Sequence, residues 1–338
     1  MPRLPADRLD ALLGRFAHLK VLVLGDLMLD EFLWGKVSRI SPEAPVPVVE
    51  VQRSESYPGG AANVVRNLAE FTPHTAVVGA VGRDTFGETL KGLLSTHASD
   101  VSGIVEVGDR HTIHKMRIIG RQQQIVRVDR EKIAPLLPRD AATVIAFLKR
   151  EIPKFDAVII EDYGKGLITQ EIVDATIGEA RRHGKIVTVD LNPKNPLNWN
   201  GATAVKPNRP EAIACAGLHE DSPTADGVDV VRQAAAILRE RWQTDYLLIT
   251  LGEEGMLLFD KDKPAPYHTP TQAQKVFDVS GAGDTAIALF TLALAAGATG
   301  IEAAEISNHA SGVVVGKLGT ATLTLAELRE SLLSSSAV

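Results

Sequence analysis

The stretch Asp278-Val-Ser-Gly-Ala-Gly-Asp284 concentrates more chemistry than any other part of this 338-residue chain. Gly281, Ala282 and Gly283 separate a polar turn from a nearly uncharged run, Thr285 to Ala298, long enough for a helix. Amides at the start of such a helix have no partner within it, and with the helix dipole they attract an anion. Glycine lets the backbone approach that anion closely. A carboxylate at Asp284 would repel a phosphate that was merely bound there. It makes sense as a base that takes a proton from a hydroxyl attacking the phosphate. A capped buried helix with Asp284 as its dipole partner is the other reading, and the glycines alone leave both open.

Bulk properties narrow the setting. The net charge is -6 and no lysine-arginine block occurs, which argues against nucleic acid as a partner. A single cysteine, Cys215, excludes an internal disulfide and a cysteine-built zinc site, and fits a reducing cytoplasm. Met1 to Asp10 is charged and broken by prolines, unlike a signal peptide. The longest apolar run falls short of the roughly 20 residues a membrane span needs, so no membrane is expected either.

These residues need a frame. Leu19–Gly25, Thr75–Val81, Ala157–Ile160, Lys185–Asp190 and Tyr246–Leu251 read as short buried strands. Helical patterns alternate with them: Asn63–Phe71, a helix capped by Asp84, Ala141–Ile152, one capped by Thr169, and Val230–Trp242. Alternation of this kind predicts a mostly parallel sheet with helices on both faces, with ligands at the carboxyl ends of its strands. Asp26, Asp162, Asp190 and Thr250–Gly252 fall at such ends. Two stretches break the rhythm. Phe32–Val51, with Pro42, Pro45 and Pro47, and Ile104–Asp129 read as a small inserted β-sheet. His111 and His114, three apart in a strand, face opposite sides, so a shared metal is not expected.

Asp278–Asp284 resembles the C-terminal signature of the PfkB, or ribokinase-like, family of carbohydrate kinases. Gly59-Gly60-Ala61-Ala62-Asn63-Val64-Val65-Arg66-Asn67-Leu68-Ala69 resembles its N-terminal signature. Glu43–Val48, Asp162–Gly166, Asp190–Lys194, Lys206–Glu211 and Val314–Thr320 are similar to the kinase half of bacterial heptose-phosphate kinases, and the likeness covers roughly residues 10 to 330. It implies a ribokinase-like α/β fold whose small β-sheet, about 32–53 and 104–129, is a lid over a sugar site shared in a homodimer. Residues 1–338 would be one kinase domain without a C-terminal nucleotidyltransferase.

The resemblance also implies roles. ATP with Mg2+ would phosphorylate the C1 hydroxyl of D-glycero-β-D-manno-heptose 7-phosphate, a step toward ADP-heptose for lipopolysaccharide. Asp284 would be the base, and the turn Gly281, Ala282, Gly283 would offer the amides of Ala282, Gly283 and Asp284 to the phosphoryl group. Asp26, Gly59, Gly60 and Asn63 would touch the sugar; otherwise they are a turn and a strand-end cap. Asn208, Arg209, Pro210 and Glu211 would lie near nucleotide and metal, Glu211 reaching Mg2+ indirectly, while Asn208 and Glu211 can also form a capping box. Thr250, Gly252 and Gly255 would form a nucleotide-binding turn, or a plain β-turn, and Asn308 would lie beside adenine. The sugar's own phosphate needs cations far from Asp284. Lys165, Lys194, Arg117 and Arg121 are the candidates, the two arginines four apart and so on one strand face, or simply solvated. Fructose 6-phosphate, ribose, a ketodeoxy sugar acid or a nucleoside are alternative acceptors, and a binder without turnover is a further alternative. A dehydrogenase is disfavoured because no Gly-x-Gly-x-x-Gly follows the first strand.

Overall fold

Strands with both faces covered carry apolar residues without alternation, and the buried pentads Val21–Gly25 and Ala157–Glu161 are of this kind. The computed structural model describes residues 4–121, 123–221, 229–273, 276–317 and 319–334. Helix α1 (Ala6–Phe16) leads to β1 (Val21–Gly25), the long strands β2 (Leu27–Ile40) and β3 (Pro47–Gly60), α2 (Ala61–Ala69), β4 (Thr75–Gly82), α3 (Thr85–Leu94), β5 (Asp100–Val107), β6 (Ile113–Gly120) and β7 (Gln123–Arg130). Then come α4 (Pro138–Glu151), β8 (Ala157–Glu161), α5 (Gln170–Arg182), β9 (Ile186–Asp190), β10 (Ala204–Val205) and α6 (Arg209–Cys215). The chain closes with α7 (Val230–Trp242), β11 (Tyr246–Thr250), β12 (Met256–Asp260), β13 (Tyr267–Thr269), α8 (Ala282–Ala295), α9 (Gly300–Val315) and α10 (Leu325–Ser334).

The large sheet has the order β13-β12-β11-β10-β9-β8-β1-β4-β5. It is parallel from β11 to β5, and β12 and β13 add an antiparallel edge. One face packs on α1, α2, α8 and α9, the other on α4, α5 and α7. Helix α8 is buried from Thr285 to Leu294, which explains its lack of charge. The expected caps are in place: Asp84 accepts from the Gly87 amide at 2.9 Å and Thr169 from Ile172 at 3.5 Å. Among the described residues no helix is long and apolar enough to cross a membrane.

A second sheet, order β3-β2-β6-β7, stands apart from the first. Its long hairpin is paired from Leu27↔Gly60 at the base to Ile40↔Pro47 near the tip, with Pro42 and Pro45 in the turn. All of β7 is exposed. The boundary expected at Ile104 is corrected. Ile104 to Val107 continue β5 in the large sheet beside β4, where Ile104 and Val107 are buried, and the second sheet resumes only at Ile113.

Candidate active site

Glu161, Asp190 and Thr250 end β8, β9 and β11 and Lys206 follows β10, so their side chains meet at the carboxyl ends of neighbouring strands, beside the end of β1 at Gly25. Helix α8 packs on β8 and β9 and brings its N-terminus to those ends. Gly281 supports the turn into it with φ of 81°, a conformation that favours glycine. The Ala282 amide is engaged by the Val279 carbonyl at 3.2 Å, so this amide, expected to be a free donor, is not. The amides of Gly283 and Asp284 have no protein acceptor among the described residues.

Both carboxylate oxygens of Asp284 are held. Asn63 Nδ2 donates to Oδ2 at 2.6 Å and the Tyr163 hydroxyl donates to Oδ1 at 2.8 Å. One turn further on, Asn67 Nδ2 donates to the Asn63 backbone carbonyl at 2.9 Å, and Asn67 Oδ1 accepts from the Thr285 hydroxyl at 2.8 Å. These bonds stitch α2 to α8. Burial pushes the Asp284 carboxyl up to about 6, against the lowering by Asn63 and Tyr163; the charge of Asp190 adds to the rise and that of Lys206 opposes it.

Lys206, 3% exposed, pairs with Asp190 at 2.8 Å. Burial works against its ammonium, but Asp190 outweighs it and holds the lysine above its ordinary value. Glu161 is fully buried and neither of its oxygens has a protein partner among the described residues. Burial, then the charges of Asp190 and Asp284, hold it well above the usual carboxylate range. Oxygens of Glu161, Asp190 and Asp284 lie within 4.8 Å of one another. Glu211 shares their cavity, its carboxyl raised by burial and then by Asp190. Such crowded hard oxygen donors fit a magnesium ion that keeps several of its waters.

Two cavities meet here. One, of about 550 Å³, is lined by Glu161, Asp190, Lys206, Asn208, Pro210, Glu211 and Asp284. The other, of about 460 Å³, is more apolar and is lined by Gly255, Met256, Ala282, Ala286, Asn308 and Val315. Thr250, Gly252, Val279 and Gly283 line both. Asn208 and Glu211 form a reciprocal capping box on α6, so their structural role is real whatever else they do. Arg209 pairs with Glu254. Thr250 bridges to Asn208, and Gly252 has φ of 63°. At Gly255, φ is 92° and a Cβ would lie 2.1 Å from the Thr269 carbonyl oxygen. Asn308 donates to Thr269 Oγ1 at 3.0 Å and to the Pro270 carbonyl at 2.7 Å.

The sugar-side expectations divide. Asn63 reaches Asp284, but Asp26 is 3% exposed and lines neither cavity. Its carboxylate accepts the amides of Tyr163 at 3.1 Å, Lys165 at 3.0 Å and Leu167 at 3.1 Å, which corrects its placement among direct sugar contacts. Gly59 and Gly60 close β3; a Cβ on Gly59 would lie 2.2 Å from Asp30 Oδ2. The four candidate cations have different surroundings. Arg117 pairs with Asp30 at 2.6 Å and Lys165 with Glu131 at 2.7 Å. Lys194 is exposed in the loop after β9. Arg121 sits past the end of β6 with φ of 59°, so strand alternation stops before it and it does not share the face of Arg117. His114 is buried against Glu31 at 2.8 Å, whereas His111 lies before β6 near Arg130, so the two histidines do not share a strand as expected.

Tyr163, Glu161, Lys206 and Asp30 were not singled out from sequence. Tyr163 and Lys206 follow strands, Glu161 ends one and Asp30 lies within β2, but what each meets depends on which strands become neighbours.

A sequence profile of the pfkB family of carbohydrate kinases matches residues 18–327. The chain is 41% identical over 317 residues to the bifunctional protein HldE of Desulfatibacillum aliphaticivorans, covering 94% of this chain and 64% of that protein. It is 42% identical over 322 residues to the bifunctional protein HldE of Caulobacter vibrioides, covering 95% and 65%. The chain thus spans just under two thirds of the length of these curated relatives. In fold it is similar to phosphofructokinase-2 from Escherichia coli in complex with potassium, with a TM-score of 0.75 at 20% identity, covering 94% of this chain and 99% of that one. Ribokinase of Arabidopsis thaliana complexed with ribose and ATP gives 0.66 at 17% identity, covering 95% and 99%.

Proposed function

Because this chain belongs to the pfkB family of carbohydrate kinases, we propose that it transfers the terminal phosphoryl group of ATP to the C1 hydroxyl of D-glycero-β-D-manno-heptose 7-phosphate. The observation that carries the reading is the position of Asp284. It sits in the first turn of α8 beside two free amides, where a polar and a more apolar cavity meet. The apolar cavity suits a nucleoside, and the polar one suits phosphates and acceptor. The choice of a heptose phosphate is supported by the similarity to the two proteins named HldE.

In the proposed reaction the sugar hydroxyl attacks the γ-phosphorus. Its O–H bond breaks toward the Asp284 carboxylate as the new O–P bond forms, and the bond from phosphorus to the β,γ-bridging oxygen breaks to release ADP. The amides of Gly283 and Asp284 hold charge on the moving group. Magnesium bound with the nucleotide would neutralise phosphate charge, and Asp190 and Glu211 are the residues to hold it through water. Asn208, Arg209, Pro210, Thr250, Gly252, Gly255 and Asn308 are assigned to the nucleotide side. Asn63, with the backbone of Gly59 and Gly60, is assigned to the sugar side. A homodimer through the second sheet is supported by the exposed Ile40, Val46, Val51, Val126 and Val128 along it. Residues 1–338 are read as one kinase unit.

One observation favours a second acceptor class: of the four candidate cations, Arg117 and Lys165 already have carboxylate partners. A single assay separates the two. ADP release is measured with Mg-ATP and heptose 7-phosphate, fructose 6-phosphate, ribose or no sugar, and phosphorus NMR locates the new phosphate. Selective turnover of heptose 7-phosphate at C1 is the expected result. Selective turnover of an unphosphorylated sugar would replace the substrate, and no turnover with any would reject the kinase reading.

A further inference from the structure

We infer that Tyr163 is a positioning residue that sets the Asp284 carboxylate for proton transfer, and that Asp26 acts through it. The inference rests on the reading of Asp284 as the base.

A carboxylate rotates freely about its last bond unless something holds it, and a base poorly aimed at the attacking hydroxyl loses rate steeply. Asn63 from α2 holds one oxygen of Asp284; Tyr163, just past β8, holds the other at 2.8 Å. Each carboxylate oxygen accepts two bonds, so a lone pair stays open to a sugar hydroxyl. Burial and the neighbouring carboxylates push the Tyr163 phenol well up, so it stays protonated and donates.

The loop carrying Tyr163 is fixed from below. Asp26, at the end of β1, gathers the amides of residues 163, 165 and 167 on its two oxygens. Asp162 Oδ1 takes the Gly164 amide at 2.7 Å. Gly164 and Gly166 have φ of 65° and 99°, and a Cβ on Gly166 would lie 2.1 Å from the Ala134 carbonyl oxygen. Three amides on one side chain and two left-handed glycines leave the loop little freedom. Asp26 lines neither cavity, and its carboxylate is bonded to the site through this loop.

Steady-state kinetics and thermal melting of wild type, Asp284→Asn, Tyr163→Phe, Asp26→Asn and the Asp26→Asn/Tyr163→Phe double variant test this, with Mg-ATP and the sugar that wild type turns over. Tyr163→Phe should lower kcat about 10- to 100-fold, with KM for both substrates and the melting temperature close to wild type. Asp26→Asn should lower kcat likewise, and the double variant should be scarcely slower than the slower single. If Asp26→Asn does not fold, Gly164→Ala strains the turn beside Tyr163 and takes its place. Wild-type kcat in Tyr163→Phe, or a raised KM for the sugar with kcat kept, overturns the inference while an inactive Asp284→Asn leaves the base reading standing. An active Asp284→Asn overturns both. Losses that multiply in the double variant remove Asp26 from the chain of action.

Discussion

A base that works near neutral pH needs a carboxylate for which ionisation is neither free nor forbidden, and Asp284 is placed so. Its carboxyl lies at about 6, lifted first by burial. The rate should therefore fall about tenfold per pH unit below 6 and level off above 7, read as kcat against pH at saturating substrates. The same lift costs stability. Between the ordinary carboxylate value and 6 the folded state holds a proton that the unfolded state has released, so stability falls as pH rises through that window. Asp284→Asn should remove turnover yet raise the melting temperature at neutral pH, through relief on the order of 3 kcal/mol. Calorimetry showing a less stable variant would contradict this. Asp284 was legible in the chain because its chemistry is local, a carboxylate behind two glycines. Tyr163 was not, because its hydroxyl meets Asp284 only through the adjacency of β8 and α8. Asp26 was placed at a strand end correctly, but what its oxygens bind depends on a loop far along the chain.

Among elements, those with an unbroken local pattern were the easiest to read. Apolar β1, β8 and β11 emerged, as did the capped α3 and α5. Helix α1 was missed behind its prolines, and β10 is two residues long, too short to carry a period. The β12–β13 edge went unread because a short antiparallel return looks like a loop until it has a partner. The hairpin turn at Arg121 broke an alternation assumed to continue. Elements also carry function through backbone shape. Gly255 joins the turn proposed for the nucleotide to β12, with a left-handed φ and no room for a Cβ. Gly255→Ala should cost about 1–3 kcal/mol and raise KM for ATP while leaving KM for the sugar unchanged. Thermal melting and separate titrations of the two substrates check both parts.

At the scale of the whole molecule, an acidic basin would face the acidic ligand proposed for it. Glu161, Asp162, Asp190, Glu211 and Asp284 line one cavity, set against Lys206 and Arg209. A triphosphate enters such a place only with a cation, so chelating divalent metal should abolish both turnover and ATP binding, the latter followed by calorimetric titration. The second sheet carries the other prediction: Val126→Glu with Val128→Glu, placed on exposed β7, should yield a monomer by light scattering without lowering the melting temperature. An unchanged dimer would move the interface elsewhere. The hairpin β2–β3 leaves the body after Asp26 and returns at Gly60, its base pinned by the Leu27↔Gly60 pair and by the Ala61 amide on the Asp26 carbonyl. Fourteen extended residues per strand make an arm of roughly 45 Å. Its root adjoins the residues that hold Asp26 and Asn63. Strand β6 braces β2 from Met28 to Gly35, so the hairpin can lever only beyond Gly35, and load on its tip reaches the loop, the helix and the base through that braced half.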